Sequence, residues 1–216
     1  MNENIKKFIE EFEATREPNE RDTSFDYCYN YFYSFYKGNK LHELANEENL
    51  QRSCLQLGFY LASWGMLRNS FLLKKSVRYF SDLIKEISKI DPKLWEIDVD
   101  NYNDENIKLL LDCQLKIIEV IKNNSDTLIT KIMLGVFANV PAYDYYFRIF
   151  LKENKCCQTF NKKSLEQIKF FYEEHKNEFD SYKICTYDFS TKEKTEIIYT
   201  KAKLVDMYGF MVGEKG

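Results

Sequence analysis

Glycine and proline are scarce, seven and three residues in 216, and so little turn punctuation disfavours a many-turned β fold and favours long helices joined by short polar loops. Cys28, Cys54, Cys113, Cys156, Cys157 and Cys185 form no CxxC pair and no zinc-finger spacing, and His42 and His175 lie far apart in the chain. The pattern reads as reduced, mostly buried thiols and points to no metal ligand and no cofactor. A Gly-rich phosphate loop, GxSxG and HExxH are all missing, and Tyr172 stands where a Glu-x-x-His di-iron unit would need its acid. No uncharged apolar run approaches the roughly 20 residues of a membrane span: Gln56 and Arg68 interrupt one candidate and Lys131 the other. Residues 1–13 carry acids and no apolar core of a signal peptide. The chain therefore reads as a soluble cytoplasmic protein with no membrane segment. Its net charge of −3 and pI near 5.6 disfavour nucleic acid as a partner.

Aromatic residues are plentiful at 16 %, and they must fill volume that aliphatic side chains usually fill. Charge is uneven along the chain. Between Asn49 and Ser81 there are five cations (Arg52, Arg68, Lys74, Lys75, Arg78) and no acid, whereas Asp82 to Asp112 carries nine acids against four lysines. A basic element beside an acidic one would be self-complementary; two solvated faces are the simpler reading.

The stretch from Leu55 to Leu73 organises the rest. On a helix, Gly58, Ala62 and Gly65 fall at i, i+4 and i+7, a strip bare of side chains where another helix can approach. A helix over 47–67 is expected, ending or kinking between Gly65 and Asn69 and placing Arg68 beside apolar surroundings. The second core helix spans 126–140 and is apolar on almost all faces, with Gly135 and Ala138 as the small face that would meet that strip; Pro141 ends it and suits the first position of the next helix.

Other elements follow from periodicity. Ile5, Phe8, Ile9 and Phe12 make a helical stripe. The aromatic run 25–38 alternates with period two, so a strand competes, but a cap at Thr23 or Ser24 and a terminal Gly38 favour a helix. Helices are also expected from Val77 to Ile90, from an Asn103 cap to Asn123-Asn124, and from a Ser164/Gln167 capping box through Tyr172. The runs 182–187 and 196–199 leave room for a short β-hairpin, and Leu204, Met207, Tyr208 and Met211 mark a closing helix. The fold class is all-α: one helical domain over 1–216, a multi-helix bundle around two buried core helices, with 182–216 as its one candidate appendage. LASWGMLR, LGVFANVPAYDYYF and KLVDMYGFMVG resemble motif blocks of small bacterial proteins, and that resemblance implies no activity.

Three groups of residues are candidates for a site. Arg68, Lys74, Lys75 and Arg78, with Trp64 nearby, would clamp an anion, since a guanidinium at the end of a buried helix needs a counter-charge; a protein acid would serve as well as a ligand phosphate or carboxylate. Tyr143, Asp144 and Arg148 at a helix start would line a polar pocket for a planar ligand, although an Asp/Arg pair at i,i+4 is also ordinary helix reinforcement. Lys203 and Asp206 at i and i+3 read as an exposed salt bridge. The leading expectation is a non-enzymatic binding or interaction protein with an aromatic-rich helical pocket for a small anionic ligand or a protein partner. Its rival is an enzyme acting on a phosphate-bearing substrate, nucleotide or nucleic acid, with the cations as clamp and Asp144 as acid/base or metal ligand.

Overall fold

A computed structural model of the chain describes residues 5–68 and 70–215. It is an all-α, multi-helix bundle with one C-terminal hairpin, as the periodicity implies. The helices are α1 (Ile5–Ala14), α2 (Ser24–Lys37), α3 (Glu47–Ser63), α4 (Ser81–Ile87), α5 (Asp104–Ile121), α6 (Asp126–Phe137), α7 (Tyr145–Glu153), α8 (Lys162–Glu174), the single turn α9 (Lys176–Phe179) and α10 (Lys201–Lys215). Strands β1 (Cys185–Tyr187) and β2 (Lys194–Ile198) pair antiparallel, Cys185 opposite Ile198 and Tyr187 opposite Lys194. Short 3-10 turns lie in each connection from α1 to α5.

The centre of the molecule is α6, in which every residue from Leu128 to Phe137 is buried. The chain does not reach Pro141 as helix. Ala138 turns left-handed (φ 54°) and closes α6, and residues 139–143 continue as a buried non-helical segment. Buried backbone must find partners, and side chains supply them here. The Trp95 indole donates to the Val136 carbonyl (3.0 Å), Tyr102 Oη to the Asn139 carbonyl (2.6 Å), and Thr200 Oγ1 to the Ala138 carbonyl (2.5 Å). In return Asp206 accepts from the Ala142 N–H (2.9 Å) and Thr130 Oγ1 from the Tyr143 N–H (2.8 Å). Asp144, not Pro141, begins the next helix: its carboxylate caps α7 by accepting from the Phe147 N–H at 3.0 Å.

α3 meets α6, but not through the expected strip. A Cβ at Gly135 would lie 2.4 Å from the ring of Tyr60, so it is Tyr60 that seats on the bare face of α6. Gly58 faces Val77 and Phe80 instead, and Ala62 is only half-buried. α3 buries Cys54, Leu57, Tyr60 and Leu61 on one side and leaves Leu55 and Phe59 exposed on another, so of the two expected core helices it is α6 that is wrapped all round. Gly65 is not in the helix. With φ 76° it closes α3 in a Schellman turn, in which the Met66 N–H reaches the Leu61 carbonyl (2.8 Å) and the Gly65 N–H that of Ala62 (2.9 Å). The stop therefore comes earlier than expected, at Ser63. For Gly135→Ala a net loss of about 1–2 kcal/mol is expected in thermal unfolding, because displacing the buried Tyr60 ring outweighs the gain in helix propensity.

A bare strip of the expected kind does exist, on α10. Cβ atoms at Gly209 and Gly213 would strike the Phe147 ring (2.5 Å) and the Tyr146 carbonyl oxygen (2.0 Å), which is how α10 lies directly on α7. Two further caps differ from expectation. Asn39 (φ 55°), not Gly38, takes the left-handed position after α2, and Asn161 with Ser164 forms the capping box of α8.

Two buried carboxylates tie distant parts together. Asp26, in the first turn of α2, accepts from Arg16 Nη2 (2.6 Å), from the Tyr187 N–H (2.9 Å) and from Tyr199 Oη. It thereby holds the hairpin on the bundle. Asp98 accepts from the Lys201 N–H (2.8 Å) and the Ala202 N–H (2.7 Å), capping α10 from a remote loop. Burial pushes the Asp98 carboxyl up to about 6, against the pull of those backbone donors. A folded pKa above the unfolded one means that the native state holds the proton more tightly. The stability from this group is therefore complete below about pH 4 and is lost as pH rises through about 6. Asp98→Asn is expected to flatten that slope, worth about 3 kcal/mol in the wild type, when urea unfolding is compared at the two ends of the window.

Candidate functional site

Where α3 ends, the turn 64–68 passes over the start of α7 and the outer part of α10, and an open cleft of about 390 Å³ lies between them. Trp64, Arg68, Lys131, Asp144, Tyr146 and Phe210 line it, with Arg21, Tyr145 and Glu214 at its margins. Trp64 is its floor. The ring stands edge-on to Phe210 (5.8 Å), and Phe210 is edge-on to Tyr146 (5.1 Å). The Arg21 guanidinium lies 4.9 Å from the indole, within cation–π distance. The indole Nε1 is buried and has no hydrogen-bond partner among the described residues.

Beneath the indole is a closed space of about 10 Å³, room for no more than a single water, bounded by Tyr60, Trp64 and two ion pairs. Lys131 Nζ donates to Asp144 Oδ2 at 2.8 Å, and Lys203 Nζ to Asp206 Oδ2 at 2.8 Å. The Lys203 side chain is almost fully enclosed, its ammonium 4.7 Å from the centre of the Phe25 ring and 5.7 Å from that of Trp64. Lys131 Nζ is 5.1 Å from the Trp64 ring. Both cations are thus held by a carboxylate and an aromatic face, the combination that lets an ammonium stay charged out of water. Tyr60, beside them, has its hydroxyl pushed well above the usual phenol range by burial and by the nearby Asp206 and Asp144. It remains a neutral phenol.

Of the residues expected from the sequence, Trp64, Arg68 and Asp144 come together in this cleft. Arg68 is exposed rather than set in apolar surroundings, because the Schellman turn carries 64–68 out over the surface, and it needs no structural counter-charge. Lys74, Lys75 and Arg78 are exposed on the far side of that turn; Lys75 and Arg78 line neighbouring grooves. Tyr143 is fully buried with its hydroxyl on Ser164 Oγ (2.8 Å), a core residue and not a pocket wall. Arg148 does not pair with Asp144. It reaches Asp126 at 3.7 Å, and Lys131 takes Asp144 because α6 lies beneath the capping carboxylate. Lys203 and Asp206 are buried, not an exposed surface pair.

The residues that sequence reasoning missed are Lys131, Arg21 and Phe210. Lys131 had a signal: past Asp126 it is the one charge of a largely apolar helix, and a charge there requires a partner. Among the described residues no group of three or more His, Cys, Asp or Glu side chains converges, and no helix is long and apolar enough to cross a membrane. Comparison with known proteins finds no family model, no curated protein and no solved structure that matches the chain.

Proposed function

We propose that this is a non-enzymatic binding protein whose Trp64 cleft takes a small planar anion, an aromatic or heteroaromatic group bearing a carboxylate or phosphate. The observation that supports this most is the floor of the cleft: an indole whose N–H has no partner among the described residues, laid over two buried ammonium–carboxylate pairs and open to about 390 Å³, a size common for small-molecule sites. Trp64 and Tyr146 offer flat faces. The margins carry two guanidiniums, Arg21 and Arg68, against one carboxylate, Glu214. Guanidiniums suit carboxylate and phosphate oxygens by geometry as well as charge.

The alternative, chemistry on a phosphate-bearing substrate with Asp144 as acid, base or metal ligand, has weaker support. One oxygen of Asp144 accepts from the Phe147 N–H and the other from Lys131 Nζ, so its carboxylate is engaged on both sides. The test is a thermal-shift panel of aromatic carboxylates and nucleoside monophosphates, with inorganic phosphate as the non-planar control. A ligand at about a hundred times its Kd stabilises by roughly 2.7 kcal/mol, which raises Tm by several degrees in a protein of this size. The expected result is a shift with at least one planar anion that is lost in Arg68→Ala, whose own Tm is unchanged because Arg68 is exposed. No shift with any planar anion, or one that survives both Arg68→Ala and Trp64→Ala, would remove the proposal.

A further inference from the structure

On the other side of the 64–68 turn a second feature stands apart from the cleft. A groove runs along α3 between that helix and the segment 72–81. Its first part, about 310 Å³, lies beside Glu47, Leu50 and Cys54; its second, about 210 Å³, beside Leu55, Gly58 and Phe59; Val77 lines both, so they are neighbours along α3. From Glu47 to Phe59 the rise of an α-helix gives a length of about 18 Å, or three helical turns. Val77 and Phe80 sit directly against Gly58, which brings the segment 72–81 close onto α3 there.

The apolar side chains here are not covered. Phe59 is 70 %, Leu73 67 % and Leu55 49 % exposed, within one short region of the surface. Scattered single apolar residues are normal on a surface, but several around one groove mark an interaction face. The cations of the same region outnumber its acids, which are Glu47 at one end of the groove and Asp82 just past Ser81. Arg52, Lys74, Lys75 and Arg78 are all exposed, no acid lies between Asn49 and Ser81, and none of the four makes an ion pair among the described residues. Arg52 and Lys75 rest near the rings of Tyr31 (5.5 Å) and Tyr79 (5.4 Å), and Arg78 is close enough to Asp82 to help hold its carboxyl below the usual range. Of the two readings of the charge pattern, the solvated faces fit: among the described residues no ion pair joins this basic segment to the acidic one that follows, whose acids pair with lysines, as in Glu86 with Lys116 and Asp82 with Lys85.

We infer that this groove is the docking site for an acidic, amphipathic helix of a protein partner, about three turns long, whose apolar face enters beside Phe59 and whose acids meet Lys74, Lys75 and Arg78. The concavity selects the occupant. Two neighbouring hollows along one helix receive successive side chains of a second helix, the helix-in-groove mode; a flat projecting face would suit a bilayer. The four cations, none of them in an ion pair among the described residues, select its charge.

The experiment is selection of a displayed random-peptide library on the immobilised full chain, with counter-selection on the Phe59→Asp/Leu73→Asp double variant. Both sites are exposed, so the variant keeps the wild-type circular dichroism and Tm. The expected winners carry apolar residues at i, i+3 or i+4 and i+7 with an excess of Asp and Glu. A synthetic winner binds the wild type in a salt-sensitive manner and loses about tenfold in affinity against Lys75→Glu/Arg78→Glu. Winners without an acidic excess, winners that bind the double variant equally, or no binder that depends on the patch would overturn the inference. So would co-sedimentation with phosphatidylcholine/phosphatidylserine vesicles that Phe59→Asp/Leu73→Asp abolishes, because the face would then belong to a membrane surface.

Discussion

Asp26→Ala is expected to destabilise the protein by about 3–5 kcal/mol in urea unfolding, the largest effect of any single carboxylate removal in this chain. The magnitude comes from what remains behind. Arg16 stays in the core beside Tyr199 and Tyr187, at 4.6 and 5.3 Å, and its Nε and Nη1 already lack partners among the described residues, so only the Cys185 carbonyl at 3.1 Å and the weaker pull of Glu13 remain to it. Tyr199 Oη and the Tyr187 N–H lose their acceptor in the same step. Removing both charges is a different matter. In Arg16→Met/Asp26→Leu no unpaired charge is left, and most of the stability returns. A loss below about 1 kcal/mol in Asp26→Ala would mean that water reaches Arg16 and that the pair does not hold the hairpin.

Asp144→Ala is expected to cost nearly as much, about 3–4 kcal/mol, because one side chain serves as counter-charge to Lys131 and as the cap of α7. Arg148→Ala, which removes a half-exposed 3.7 Å contact to Asp126, costs about 1 kcal/mol or less. A double-mutant cycle separates the pairings. Asp144→Ala with Lys131→Met couples by more than about 1 kcal/mol, whereas Asp144→Ala with Arg148→Ala is additive to within about 0.5 kcal/mol. The reverse order would restore the i,i+4 pair that spacing alone suggests.

That contrast shows where sequence reasoning reaches and where it stops. Elements with one continuous apolar stripe were legible: Ile5, Phe8, Ile9 and Phe12 of α1 are all buried, as are Leu165, Ile168, Phe171 and Tyr172 of α8. So was α6, because a segment apolar on every face has only one place to go. α3 was misread as wrapped on all sides since its Leu55 and Phe59 look the same in a list as buried residues, and only the tertiary fold decides that they face outward. Glycine was ambiguous for a physical reason. It permits close approach at Gly135 and Gly213 but supplies a left-handed stop at Gly65, and spacing does not separate the two uses. In the cleft, Trp64, Arg68 and Asp144 were legible because each sits at an end of a core element. Arg21 and Phe210 were not, since they arrive from parts of the chain remote from those ends.

The central claim is that the cleft floored by Trp64 receives a planar anion. Its most direct test is tryptophan emission during titration with aromatic carboxylates and nucleoside monophosphates, read against Trp64→Phe. Trp95 is a constant background, buried with its indole N–H on the Val136 carbonyl at 3.0 Å. The prediction is a saturable change in emission with at least one of these compounds, absent in Trp64→Phe and weakened about tenfold or more in Arg68→Ala. A linear, unsaturated response to every compound, or the same saturable change in Trp64→Phe, would contradict it.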